Sequence, residues 1–248
     1  MEQNLKEYIL YLADNSMILG QRLGEWCGHG PVLEQDIALT NIALDLIGEA
    51  RNYYQYLAET EGKKEDDYPM FRDERQFRNV LLVEQPNGNW ADTMVRQFLF
   101  DCWHYYHLEA MTSSANERLS AISKKSIKEA NYHLAFSSEW FIRLGDGTQE
   151  SHDKMQAAVE NLMPYFDEFF IGQDFENLCF QMGVAPDLQA VADVAKSKLI
   201  EVIEQATITL PEKYFVKKGG KSGLHTENLG FILAEMQYMQ RAYPGLDW

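Results

Sequence analysis

The sequence predicts an all-α protein, and three observations carry the prediction. Apolar residues recur at helical spacing almost throughout, no stretch alternates as a strand would, and turn residues cluster between the periodic stretches. Leu5, Ile9, Leu12, Ser16, Leu19, Leu23 and Trp26 alternate in steps of four and three, which keeps one stripe on a first helix. Cys27-Gly-His-Gly-Pro31 breaks the pattern, and Pro31 is placed to open the next helix. A second helix follows from about Leu33 to Thr60. Leu39, Ala43, Leu46, Ala50, Tyr53 and Leu57 form one stripe on it, and Ile37, Leu44, Ile47 and Tyr54 a second. A helix apolar on two faces is packed on two sides, so it is central or an interface.

Between Glu61 and Asn89 charge rises and periodicity weakens, with one short helix expected across Asp73 to Glu84. Pro86-Asn-Gly-Asn89 is a turn. A third long helix is expected over Ala91 to Ser114 and a fourth over Arg118 to Leu144, the latter ended by Gly145-Asp-Gly147. Shorter helices are expected over Asp153 to Phe170 with a kink near Pro164, Phe175 to Met182, Leu188 to Ile208 and Glu227 to Ala242. With no internal repeat or low-complexity linker, residues 1–248 read as one domain. Its four long helices form an antiparallel bundle, with the shorter helices packed around them.

Composition excludes several function classes. The 248 residues carry 22 Lys plus Arg against 38 Asp plus Glu, a net charge of −16, which repels nucleic-acid phosphates. No run free of charge exceeds the ten residues Asn177 to Pro186, while a membrane span needs about 20 apolar residues. Glu2, Lys6 and Glu7 within a helical pattern argue against a signal peptide. Cys27, Cys102 and Cys179 are odd in number and far apart, and read as buried small residues in a reducing cytoplasm.

Long helices with inward carboxylates suggest a di-iron bundle, which needs two Glu-x-x-His motifs so that carboxylate and imidazole converge from one helix face. The matching places read Asp45-Leu-Ile-Gly48, Glu49-Ala-Arg-Asn52 and Glu129-Ala-Asn-Tyr132, without His. Asp101-Cys-Trp-His104 is the one carboxylate-x-x-His, so the metal site reads as lost. The alternative is an independent oxidase with a reduced site at Asp101, His104, Glu129 and His133. The plainer reading makes these buried polar groups that pair with Arg, Tyr or one another. Gly219-Gly-Lys-Ser222 imitates the end of a phosphate loop, but Phe215 stands where the first Gly is required. Arg72, Arg75 and Arg78, at i, i+3 and i+6, would share one face of a short helix and grip a polyphosphate, or pair with the acids nearby.

Several stretches together resemble one family. They are Gln21-Arg-Leu-Gly-Glu-Trp-Cys-Gly-His29, Arg72-Asp-Glu-Arg-Gln-Phe77, Leu81-Leu-Val-Glu-Gln-Pro-Asn-Gly-Asn89, Lys128-Glu-Ala-Asn-Tyr-His-Leu134 and Gly219-Gly-Lys-Ser-Gly-Leu-His-Thr-Glu227. Leu233-Ala-Glu-Met-Gln-Tyr238 and Trp248 continue the match. The chain is similar throughout to the C-type subunits of the multicomponent phenylacetyl-CoA epoxidases. The resemblance implies a ferritin-like bundle without metal, a cytoplasmic structural subunit that performs no oxygen chemistry itself. It implies a catalytic A-type partner of the same fold that holds the di-iron centre, a small B-type partner, and a reductase with flavin and iron–sulfur centres. A homodimer when the chain is alone is also compatible. A CoA-thioester contact is implied at Gln76, Phe77, Arg78 and Asn79, where Arg78 stands at a variable place. A second is implied at Asn177, Leu178 and Cys179, whose residue types differ from the family's.

Overall fold

The computed structural model describes residues 3–246, so Trp248 lies outside the described residues. Nine α-helices and no strand are found among those residues, as the periodicity predicts. The helices divide between two compact units. One comprises the chain up to Pro86, Gln173–Cys179 and the chain from Gly219, and the other comprises Asn87–Gly172 and Phe180–Lys218.

In the first unit, α1 (Gln3–Gly24) packs along α2 (Leu33–Glu61). From Tyr8 to Leu19 every residue of α1 is buried, so this helix is covered all round rather than along one stripe. Each large apolar side chain so buried contributes about 1.5–3 kcal/mol. The first α2 stripe, Leu39 to Leu57, is buried as expected. The second is open at its N-terminal half, where Ile37 and Leu44 are 50% and 61% exposed with Leu33 beside them. Gly62 ends α2 in the left-handed conformation and returns its N–H to the Ala58 carbonyl. A short helix α3 (Asp67–Phe71), which weak periodicity hid, packs against α9 (Glu227–Ala242).

The expected helix over Asp73 to Glu84 is absent. A single 3-10 turn, Glu74–Gln76, gives way to extended chain and turns. The capping box of Asp73 with Gln76 starts that turn, but no apolar stripe follows to pack it as a helix.

The second unit holds α4 (Trp90–Met111), α5 (Glu117–Gly145), α6 (Gln149–Phe166) and α8 (Leu188–Gln205) packed together. Asn89, Asn116 and Thr148 cap α4, α5 and α6 with side-chain oxygens that accept orphan N–H groups. Pro164 lies at the end of α6, where the helix tightens into the 3-10 turn Asp167–Phe170. Trp103 stacks on Phe169 at 4.3 Å in the core of this unit. The remaining helix, α7, is Asp174–Gln181. Among the described residues no helix is long and apolar enough to cross a membrane.

Candidate functional site

The irregular stretch from Arg72 to Gln85 is fastened to α1 by buried polar side chains. Asp14, fully buried, takes the Arg72 guanidinium on both carboxylate oxygens, the Tyr54 hydroxyl at 2.7 Å and the Arg78 backbone N–H at 2.8 Å. The Arg72 guanidinium also lies 4.2 Å over the Phe77 ring. Asn15 accepts the Val80 N–H at 3.0 Å. Glu84, also fully buried, accepts from the Thr226 N–H and from Asn79 Nδ2, and lies 2.9 Å from His225 Nδ1. His225 Nε2 meets the Phe77 carbonyl at 3.1 Å, so both ring nitrogens face acceptors. These bonds satisfy backbone groups that a helix would have paired internally.

Asp14 and Glu84 escaped the sequence reading, although one signal was available. Asp14 is the sole charged residue between Glu7 and Arg22 in an otherwise apolar helix. A charge there is expected to be buried and paired.

The three arginines do not share a face, because no helix carries them. Arg72 is engaged by Asp14, and Arg78 donates to Glu7 at 2.6 Å. Arg75 is exposed, with no ion-pair partner among the described residues, on a groove of about 870 Å³ whose other wall is α9. Arg72 and Arg78 instead line a cavity of about 230 Å³ with Lys6, Glu7, Tyr68 and Gln76. Burial would raise the nearby Glu61 carboxyl, but hydrogen bonds from Lys6, Lys63 and Tyr68 hold it down at about 2.

Of the expected CoA-contact residues, Gln76 is exposed and lines both the cavity and the groove. Arg78 is half-buried, while Phe77 and Asn79 are completely buried beneath. Asn177 and Leu178 are exposed on α7 and Cys179 is buried. Both groups fall in the first unit. Cys102 is buried as expected, whereas Cys27 is exposed.

The residues considered for a metal lie in the second unit. Asp101 is buried, accepts from Ser137 at 2.7 Å and Gln97 at 2.8 Å, and feels His133 and His104. Burial pushes its carboxyl up to about 6 against the pull of those four groups. Glu129 is only half-buried. No group of three or more His, Cys, Asp or Glu among the described residues comes together so as to hold a metal ion. On α2, Glu49 accepts from Ser16 at 3.0 Å, and the buried charged centre beneath α1 contains the Arg72 guanidinium, whose charge opposes a cation. The donor set therefore does not fit a di-iron centre. Nor does Gly219-Gly-Lys-Ser222 await a phosphate, since Lys221 is buried and bonded to Glu176 at 2.8 and 3.0 Å.

The profile of the family described as "Phenylacetic acid catabolic protein" matches residues 1–248. The chain is also 48% identical over 245 residues to the C subunit of the 1,2-phenylacetyl-CoA epoxidase of Escherichia coli (strain K12), a match covering 98% of this chain and 99% of that relative.

Proposed function

Because the chain belongs to the phenylacetic acid catabolic protein family and folds as an all-helical, ferritin-like protein, we propose that it is the structural subunit of a phenylacetyl-CoA epoxidase. It would pair with and stabilise the catalytic di-iron subunit, in company with a small third subunit and a flavin and iron–sulfur reductase. It would also help to bind the CoA thioester through Gln76 to Asn79 and Asn177 to Cys179. The observation that carries this reading is the near-complete, 48% identical match to the C subunit of an epoxidase. We read residues 1–248 as acting together as one cytoplasmic domain in that complex, with a homodimer as the state of the chain alone.

Two features support the non-catalytic role. The carboxylates and imidazoles do not gather into a ligand set among the described residues, and an arginine fills the charged centre beneath α1 and α2. The apolar strip of Leu33, Ile37 and Leu44 supports the pairing, because permanent interfaces resemble a core cut in half. Any di-iron chemistry belongs to the catalytic partner, and this chain's residues would bind and wall the substrate.

Elemental mass spectrometry on chelator-washed protein tests the assignment of roles. Metal near zero per chain is expected, and about one or two iron atoms, as intact carboxylate bundles hold, would make this chain the enzyme. The pairing surface is tested by Ile37→Glu with Leu44→Glu. The double variant should keep its helical circular dichroism yet no longer co-purify with the catalytic partner, and retained co-purification would move the interface elsewhere.

A further inference from the structure

We infer that Lys221 is a positioning residue that joins the two CoA-contact segments into one binding surface, an inference that rests on the CoA reading above. The loop Gly219–Gly223 touches the first segment and, through Lys221, the residue that leads into the second. Gly220 lies flat against the 76–79 stretch, and a Cβ on it would fall well inside contact distance of the Asn79 carbonyl oxygen. Gly223, at φ +81°, packs in the same way on the Arg75 carbonyl and lies near Arg78 Nη1. Two residues farther on, His225 reaches the Phe77 carbonyl. Between the glycines, Lys221 turns inward and donates to both oxygens of Glu176, the residue just before Asn177. Its ammonium also lies 4.8 Å over the Tyr11 ring of α1. Both side chains of the pair are 1% exposed.

The packing explains why two glycines and a lysine are needed together. Gly220 and Gly223 allow the backbone to approach the first segment, and Lys221 reaches the second. Gln76 on one segment and Asn177 on the other are exposed, while the Lys221–Glu176 pair is buried and out of a ligand's reach. Lys221 therefore acts through others: it fixes the start of α7 against the irregular stretch, so that both segments meet one ligand without ordering costs on binding.

The test uses the complex assembled with the catalytic partner and titrated with phenylacetyl-CoA. Removing Lys221 alone would strand the buried Glu176 charge, so the variant is Lys221→Met with Glu176→Gln, which removes both charges at once. The expected result is intact assembly, a Kd raised about tenfold (about 1.4 kcal/mol), KM raised in parallel and kcat at saturation unchanged. Gly220→Ala, which forces the loop off Asn79, should weaken binding in the same sense. Leu39→Ala, a cavity on α2 in the same unit, should lower Tm without changing Kd. Equal weakening by Leu39→Ala would reduce the effect to general destabilisation and overturn the inference. Gln76→Ala and Asn177→Ala separate contact from positioning. If they weaken binding while the Lys221/Glu176 variant does not, the positioning role falls alone; if they change nothing, the CoA reading falls and takes this inference with it.

Discussion

The two units bury carboxylates in opposite ways. In the first, Asp14, Glu84 and Glu176 each face a side chain able to carry positive charge, respectively Arg72, His225 and Lys221. In the second, Asp101 accepts from the Gln97 amide and the Ser137 hydroxyl and feels the charge of His133 and His104. The difference follows from what each group holds. The first unit must fix a stretch that is neither helix nor strand, and ion pairs to α1, α7 and the Gly219–Gly223 loop supply the fixed points. The partners of Asp101 stand on α4 and α5, whose backbones are already fixed, so the carboxylate needs no strong cation. It stays buried by giving up part of its acidity.

Removing the cation that holds the fully buried Asp14 should give the largest effect. Arg72→Met leaves Asp14 charged in the core and should cost about 3–5 kcal/mol in urea unfolding, while adding Asp14→Asn should restore most of the loss. A cost below about 1 kcal/mol for Arg72→Met would mean that the pair is solvated, since exposed pairs contribute only that much.

The contrasting carboxylate should respond to pH with the opposite sign from a salt-bridged one. Asp101 titrates near 3.8 when unfolded and about 6 when folded, so between those values the folded state holds the extra proton. Its contribution is therefore fully favourable below pH 3.8, declines as pH rises through 6, and costs stability above. A difference of about two pH units at about 1.4 kcal/mol each gives about 3 kcal/mol. Asp101→Asn should remove that slope from a series of unfolding curves between pH 4 and 8. An unchanged slope would falsify the burial argument.

The helices were legible in the sequence because their information is local. Leu5 to Trp26 and Leu39 to Leu57 declare helix faces by spacing alone, and Pro86-Asn-Gly-Asn89 and Gly145-Asp-Gly147 mark where α4 begins and α5 ends. The Arg72 to Gln85 stretch was misread because its determinants lie far off. Arg78 is separated from Asp14 by 64 positions and Thr226 from Glu84 by 142, and no periodicity carries such pairings. The same distance hid the role of Lys221, whose partner stands 45 residues away while its neighbours imitate a phosphate loop. The spare face of Ile37 and Leu44 was readable, since two stripes on one helix imply two partners.

Two adjacent serines on α5 give the smallest and most discriminating comparison. Ser137 donates to Asp101 at 2.7 Å, and Ser137→Ala should cost about 1.5–3 kcal/mol near neutral pH, where the acceptor is charged. That cost should shrink as pH falls through about 6, where Asp101 takes its own proton. Ser138 is nearly as buried, yet its hydroxyl has no partner among the described residues, beside a cleft that Lys198 and Glu201 of α8 also line. A buried hydroxyl without a partner already bears its desolvation cost, so Ser138→Ala should be neutral or stabilise by up to about 1 kcal/mol. A loss greater than that would reveal a bound water or ligand in the α5–α8 cleft, and the second unit would then hold a polar site that its helices alone do not explain.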